Sequence, residues 1–141
     1  MKDSKSEYMN SMQVEEAFYQ AFRSHDIELM KQVWDQSDDV FCIHPGSSRI
    51  FSYQLIIASW EHIFAGKEEI NIQLSDSAYT MDDNLCIHNV KEVIVVDDRD
   101  LGTVLATNVY RQSSELGWKM VAHHGSPAFM ESDSRVSNNL H

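Results

Sequence analysis

Apolar residues recur every three to four positions through the first 64 residues of the chain, and every second position beyond residue 69. The first spacing lines one face of a helix and the second lines one face of a strand. Val14, Ala17, Phe18, Ala21 and Phe22 predict a first helix, with Asn10 or Ser11 available as its cap. Asp26 caps a shorter helix through Ile27, Met30 and Trp34, and the His25-Asp26 pair marks the corner of a helical hairpin. VFCIH, residues 40 to 44, reads as a buried strand stopped by Pro45-Gly46, and Arg49 to Phe51 as a short return strand. Tyr53, Ile56, Ile57, Trp60, Ile63 and Phe64 line a third helix, with Gly66 in the position of a left-handed C-cap.

Four segments of strand period follow, at about 69–81, 84–97, 101–112 and 117–126. Asp82-Asp83-Asn84, Asp97 to Asp100 with Gly102 behind it, and Ser113 to Gly117 separate them, all short and polar as hairpin connections are. Helices first and long antiparallel strands after predict an α+β roll in which three helices cover one face of a strongly curved, mainly antiparallel sheet. Long twisted strands bent around a helix enclose a cone, whose mouth suits a ligand. The expected domain covers residues 10–129, between a polar N-terminus (1–9) and a polar tail (130–141) that have little to bury.

Composition narrows the function classes. Eleven Lys and Arg against 22 Asp and Glu leave a formal charge of -11, which repels phosphate backbones and anionic membranes, so neither nucleic acid nor membrane is an expected partner. An apolar share of 43% and a charged share of 23% are those of an ordinary globular protein. Cys42 and Cys86 sit in apolar segments without CxxC spacing and read as buried free thiols, which suits a reducing, cytoplasmic setting. MKDSKSEYMNS has no apolar core of the signal-peptide kind.

GWKMVAHHGSP, residues 117 to 127, places His123 and His124 on opposite faces of one strand. A simple register across the Ser113–Leu116 turn sets Asn108 opposite Val121 and Ala106 opposite His123 on a shared face; a bulge near Gly117 reverses the choice of histidine. His124 then shares the other face with Trp118, Met120 and Ala122. Glu92, in the apolar run VKEVIVV, is the candidate general base, because desolvation raises a carboxyl pKa; its bland alternative is a surface pairing at the Lys91 level or with Arg111. A four-residue connection opposes Glu92 to Leu105, and a five-residue one, with a bulge at Gly102, opposes it to Ala106 and gathers it with Asn108. The second arrangement is the expectation. Asn108 and His123 would hydrogen-bond a carbonyl or oxyanion, while His44, Trp60, Ile56, Phe64 and His124 are substrate-binding candidates. Trp60 is equally a core residue. His88 shares strand parity with Glu92, but the histidines lack local ligand spacing, so no metal or other cofactor is expected. No Ser-His-acid arrangement can be assigned, and Ser126 reads as a turn residue before Pro127.

FCIHPGSSRIFSYQLIIASWEHIF, VKEVIV and ATNVYRQSSELGWKMVAHHGSP, in this order, resemble the SnoaL-like branch of the NTF2-like superfamily, which includes ketosteroid isomerase and the kinase association domain. The resemblance spans about residues 12 to 128. It implies a cone-shaped roll, a pocket between sheet and helices, and a homodimer joined through the sheet. It does not imply one reaction, because the superfamily includes enzymes, ligand binders and assembly modules. Related sequences often carry a third histidine before the HH pair, where this chain has Ala122. The expected function is cofactor-independent proton transfer, as an isomerase or in hydration or hydrolysis, on an apolar carbonyl compound; the alternatives are a small-ligand binder and a dimeric scaffold.

Overall fold

The computed structural model describes residues 8–113 and 116–128. Most of the two expected polar termini, residues 1–7 and 129–141, lies outside the described residues. The elements run α1 (Ser11–Ser24), α2 (Ile27–Val33), β1 (Phe41–Ile43), β2 (Arg49–Phe51), α3 (Tyr53–Phe64), β3 (Ile70–Met81), β4 (Leu85–Val96), β5 (Arg99–Ser113) and β6 (Gly117–Pro127). Each helix has a side-chain N-cap: Asn10 takes the Gln13 amide, Asp26 the Leu29 amide and Ser52 the Leu55 amide. The left-handed C-cap is His25 after α1, at φ 55°. Gly66 does not play that part for α3, which ends on right-handed Ala65 with tightened bonds from Ala65 N to His62 O and from Gly66 N to Ile63 O. Trp34, expected inside α2, is extended and bridges Met120.

One six-stranded sheet has the order β2-β1-β6-β5-β4-β3. All neighbours are antiparallel except β1 and β6, where Cys42 stands beside His123. Both decisive registers differ from the expected ones by two residues. Between β4 and β5 the turn is only Asp97-Asp98, both at positive φ, a conformation that suits tight hairpins and that aspartate tolerates. A bulge then leaves Leu101 unpaired, so Glu92 opposes Val104 and not Ala106 or Leu105. Between β5 and β6, Ser113 pairs with Gly117 and a bulge leaves Val121 unpaired; Asn108 therefore opposes His123 and not Val121, and Ala106 opposes Gly125. Each slip is even, so every side chain keeps its predicted face up to the bulge. Beyond it the faces exchange: Met120 pairs with Tyr110 on the inner side, which His123 also occupies, so Trp118 and Met120 share a face with His123 and not with His124. Ser126 belongs to β6, opposite Leu105, and is not a turn residue.

Helices pack on the inner face of this sheet. Phe18, Trp60, Ile56, Met30, Val33 and Trp34 are buried against Ile72, Val90, Ala106, Tyr110 and Met120. Burying a side chain such as Ile56 is worth about 1.5–3 kcal/mol each, so this face carries most of the stability. Gly117 closes the lower edge: its φ is 76°, and an added Cβ would lie 2.7 Å from the carbonyl oxygen of Tyr8, whose strand-like bridge it forms. On the same helix face as this core, α1 also carries polar groups at Ser11, Glu15, Tyr19 and Arg23. These are four residues apart, so they stack on one line facing the sheet.

Candidate functional site

The α1 polar line meets β4, β5 and β6 at Tyr19. Its hydroxyl lies 2.5 Å from Glu92 Oε2 and 3.0 Å from Asn108 Nδ2, and Asn108 Oδ1 lies 2.5 Å from His123 Nδ1. Glu92, Asn108 and His123 thus converge, as their inward parity requires, although their registers are not the expected ones. All are interior, with Glu92 and His123 2% exposed and Asn108 and Tyr19 at 0% and 1%.

Donor directions follow from the atoms. Asn108 Oδ1 can only accept, so His123 carries its proton on Nδ1; the Asn108 amide N–H donates to Tyr19, which donates its own proton to Glu92. The chain therefore delivers hydrogen-bond donation to the carboxyl. Burial nevertheless dominates and raises the Glu92 pKa from the ordinary 4.5 to about 7, with the Tyr19 bond opposing it. Burial, then the Glu92 charge, pushes the Tyr19 phenol well above its usual range, so its proton stays on oxygen. Burial first, then the other histidines His44 and His124, lowers His123 to about 3, which keeps it neutral.

These bonds revise two expected roles. Asn108 spends its oxygen on His123 and its amide N–H groups on Tyr19 and Tyr110, so it positions its neighbours and has no free donor for an oxyanion. Neutral His123 with its proton on Nδ1 offers Nε2 as an acceptor and not as a donor. A donor without a partner lies elsewhere: Trp60 Nε1 is buried and makes no hydrogen bond. Trp60 is fully buried as core, yet its ring stands 6.1 Å from that of His123.

The remaining candidates divide. His44 is half-buried, stacks edge-on to Trp60 at 4.8 Å and lies 6.4 Å from the His123 ring. Ser59 Oγ donates to the Ile56 carbonyl and so accepts from His44 Nε2 at 2.9 Å; burial lowers the His44 pKa. Ile56 is buried and Phe64 half-buried beside Trp60 at 5.7 Å. His124, in contrast, is exposed on the outer face opposite Thr107, because the strand alternates and no bulge follows His123; it does not line this site. Arg111 binds Asp35 and Asp39, which leaves Glu92 to the interior. Two surface depressions, one lined by Tyr8, Gln13, Glu16, Ala17, Gln20 and Leu29 and one by Glu69, Ile70, Asn71, Val95 and Asp98, lie away from the cluster. Half-buried His44 is the link between the cluster and the surface. Among the described residues no three of His, Cys, Asp and Glu group as a metal site.

Sequence reasoning passes over Tyr19, the hub. Its signal is the Ser11, Glu15, Tyr19 spacing along an otherwise apolar helix face, which points polar groups at the sheet.

Comparison with known proteins gives the same frame. Solved structures similar to this chain include a provisionally assigned calcium/calmodulin-dependent protein kinase type II association domain from Thiobacillus denitrificans. That likeness has 30% identity and a TM-score of 0.79, covering 89% of this chain and 100% of the other. A provisionally assigned dehydratase of the NTF2-like family from Streptomyces avermitilis has 28% identity and a TM-score of 0.76, covering 84% and 94%. The F-box protein SKIP8 of Arabidopsis thaliana is 26% identical over 119 residues, 84% of this chain and 50% of that protein, so the chain spans about half the length of this curated relative. No helix among the described residues is long and apolar enough to cross a membrane. The SnoaL-like domain model matches residues 12–130, and with the NTF2-like α+β roll described above the chain belongs to the SnoaL-like domain family.

Proposed function

We propose that the protein is a cofactor-independent enzyme that moves a proton next to a carbonyl group of a largely apolar small molecule. The observation that carries this reading is a buried carboxyl, Glu92, held by Tyr19 and poised at about 7, where it can both take and return a proton near neutral pH. Glu92 is the base. Tyr19 and Asn108 position it, and His123 Nε2 accepts from a hydroxyl handle of the substrate. Trp60 Nε1 is the donor that a ligand oxygen would satisfy. Phe18, Phe22, Trp60 and Phe64 supply an apolar wall, with entry past His44. Isomerisation and hydration or hydrolysis are the reaction types open to this set. Two buried free thiols suit a reducing cytoplasm.

The test is deuterium uptake from D2O at the carbon beside the carbonyl in a set of cyclic enones and β,γ-unsaturated ketones, followed by NMR. Wild type should exchange at least one compound above the buffer rate, and Glu92→Gln should fall to that rate while the compound still raises the melting temperature. Stabilisation without exchange would instead make the protein a ligand binder.

A scaffold reading has its own support in the outer sheet face. Ile87, Val109, Ala122, Phe41 and Phe51 are paired across five strands in one row, with Phe51 53% exposed. Together with the likeness to a kinase association domain, this row favours a homodimer joined through the sheet. Light scattering of wild type and Val109→Glu tests it: a dimer that becomes monomeric supports the row, and a monomeric wild type refutes it.

A further inference from the structure

The α1 polar line meets the sheet a second time, at the N-terminal end of the helix. Ser11 Oγ lies 2.9 Å from His88 Nε2, and Glu15 Oε2 lies 3.2 Å from His88 Nδ1. All three are buried, at 2%, 0% and 6% exposure. We propose that Ser11, His88 and Glu15 form a second, nucleophilic site that transfers the acyl group of small, uncharged esters.

Connectivity supports this assignment over simple hydrogen-bond satisfaction. A carboxylate at Nδ1 keeps the imidazole proton there and leaves the Nε2 lone pair for a hydroxyl proton, which is the arrangement that activates a serine. Ser11, at the first helical position, has no helical carbonyl behind it to accept from its hydroxyl, which meets the imidazole. The rings of Tyr79 and Tyr110 hold His88 at 4.6 Å and 4.7 Å, which fixes its orientation.

Ser11 is also the first residue of a 14-residue helix. Asn10 takes the Gln13 amide with its side chain and the Val14 amide with its carbonyl, while the Ser11 and Met12 amides have no acceptor within the helix. Those two N–H groups are the donors this proposal assigns to the oxyanion. The Ser11 hydroxyl also has Met81 Sδ as a weak acceptor at 3.8 Å, and Met81 is itself 55% exposed. An unbranched thioether is easily displaced, so a short apolar acyl group can enter there. The net charge of -11 disfavours anionic esters.

In the proposed step the Ser11 oxygen bonds to the ester carbonyl carbon as its proton passes to His88 Nε2. The tetrahedral oxyanion collapses with loss of the alkoxide, which leaves with that proton as an alcohol. Water, deprotonated by His88, then attacks the acyl-serine and restores the hydroxyl as the carboxylic acid departs. Ser11 and His88 are the catalytic residues, and Glu15 is a positioning residue.

The experiment treats the full chain with diisopropyl fluorophosphate, reads the adduct by intact mass and peptide mapping, and measures p-nitrophenyl acetate hydrolysis in parallel. The expected result on wild type is one adduct, on Ser11. His88→Asn should slow it by about 100-fold or more, the range of lost general-base assistance. Glu15→Gln, which keeps an acceptor oxygen, should lower the maximal labelling rate without changing half-saturation by the reagent. Absence of a Ser11 adduct on wild type overturns the proposal, as does equal labelling of Ser11 in wild type and folded His88→Asn. Wild type is assayed separately for the deuterium exchange assigned to Glu92; a missing Ser11 adduct overturns the second site whether or not exchange occurs, so the two failures are distinguishable.

Discussion

Replacing Glu92 by glutamine should make the protein more stable at pH 8 relative to pH 5. The wild-type carboxyl has a folded pKa of about 7 against an ordinary 4.5, so the folded state binds more protons than the unfolded state between those values. Its favourable contribution is complete below 4.5 and is lost as pH rises through 7. With about 1.4 kcal/mol per pH unit, the wild type should lose about 0.8 kcal/mol by pH 5 and about 3.3 kcal/mol by pH 8, a difference of about 2.5 kcal/mol. Glutamine has nearly the same shape and no charge, so it escapes this term. Urea denaturation of wild type and Glu92→Gln at half-unit steps from pH 5 to 8, with equal m-values, reads the difference directly. The stability gap should widen toward alkaline pH by that amount. A gap that is flat with pH, or that widens toward acid, would refute a carboxyl destabilised by burial.

Other consequences are measurable by similar means. His123 is neutral in the fold with a pKa near 3, lowered from 6.5, so its contribution is present above 6.5 and falls as pH drops below it; His123→Gln should remove about 2 kcal/mol of the stability loss between pH 7 and 5, seen by denaturation. Gly117→Ala combines positive φ with a Cβ 2.7 Å from the Tyr8 carbonyl and should lower stability by more than about 1 kcal/mol, read as a fall in melting temperature. Burial pushes the Cys42 thiol far up, so a disulfide reagent should modify it only at the rate of unfolding, with urea accelerating the reaction.

Period-two alternation made the inward faces of Glu92, Asn108 and His123 legible, because side-chain parity survives any even slip. Register was not legible. Gly102 marked the first bulge, but the Asp97-Asp98 turn lacks the glycine that usually marks a two-residue hairpin, and the bulge at Val121 leaves no pattern in an apolar run. Bulge and turn offsets happened to add to two in each hairpin, which is why the site assembled despite wrong partners. Roles were less legible than places: only the hydrogen-bond directions through Tyr19 show that Asn108 is fully engaged and that His123 accepts. Gly66 followed a sound local rule, but the last turn of α3 tightened instead, and His25 took the left-handed position elsewhere. Ser11 and Glu15 went unassigned because His88 lies 73 and more residues away and only the sheet brings it near.

The ionisation of Glu92 itself is the most direct test. Infrared difference spectra of wild type minus Glu92→Gln, recorded from pH 4 to 9, should contain a protonated carboxyl C=O stretch that disappears with a midpoint of about 7. A midpoint near 4.5 would mean a solvated carboxylate, and the buried proton-transfer group on which the proposed function rests would not exist.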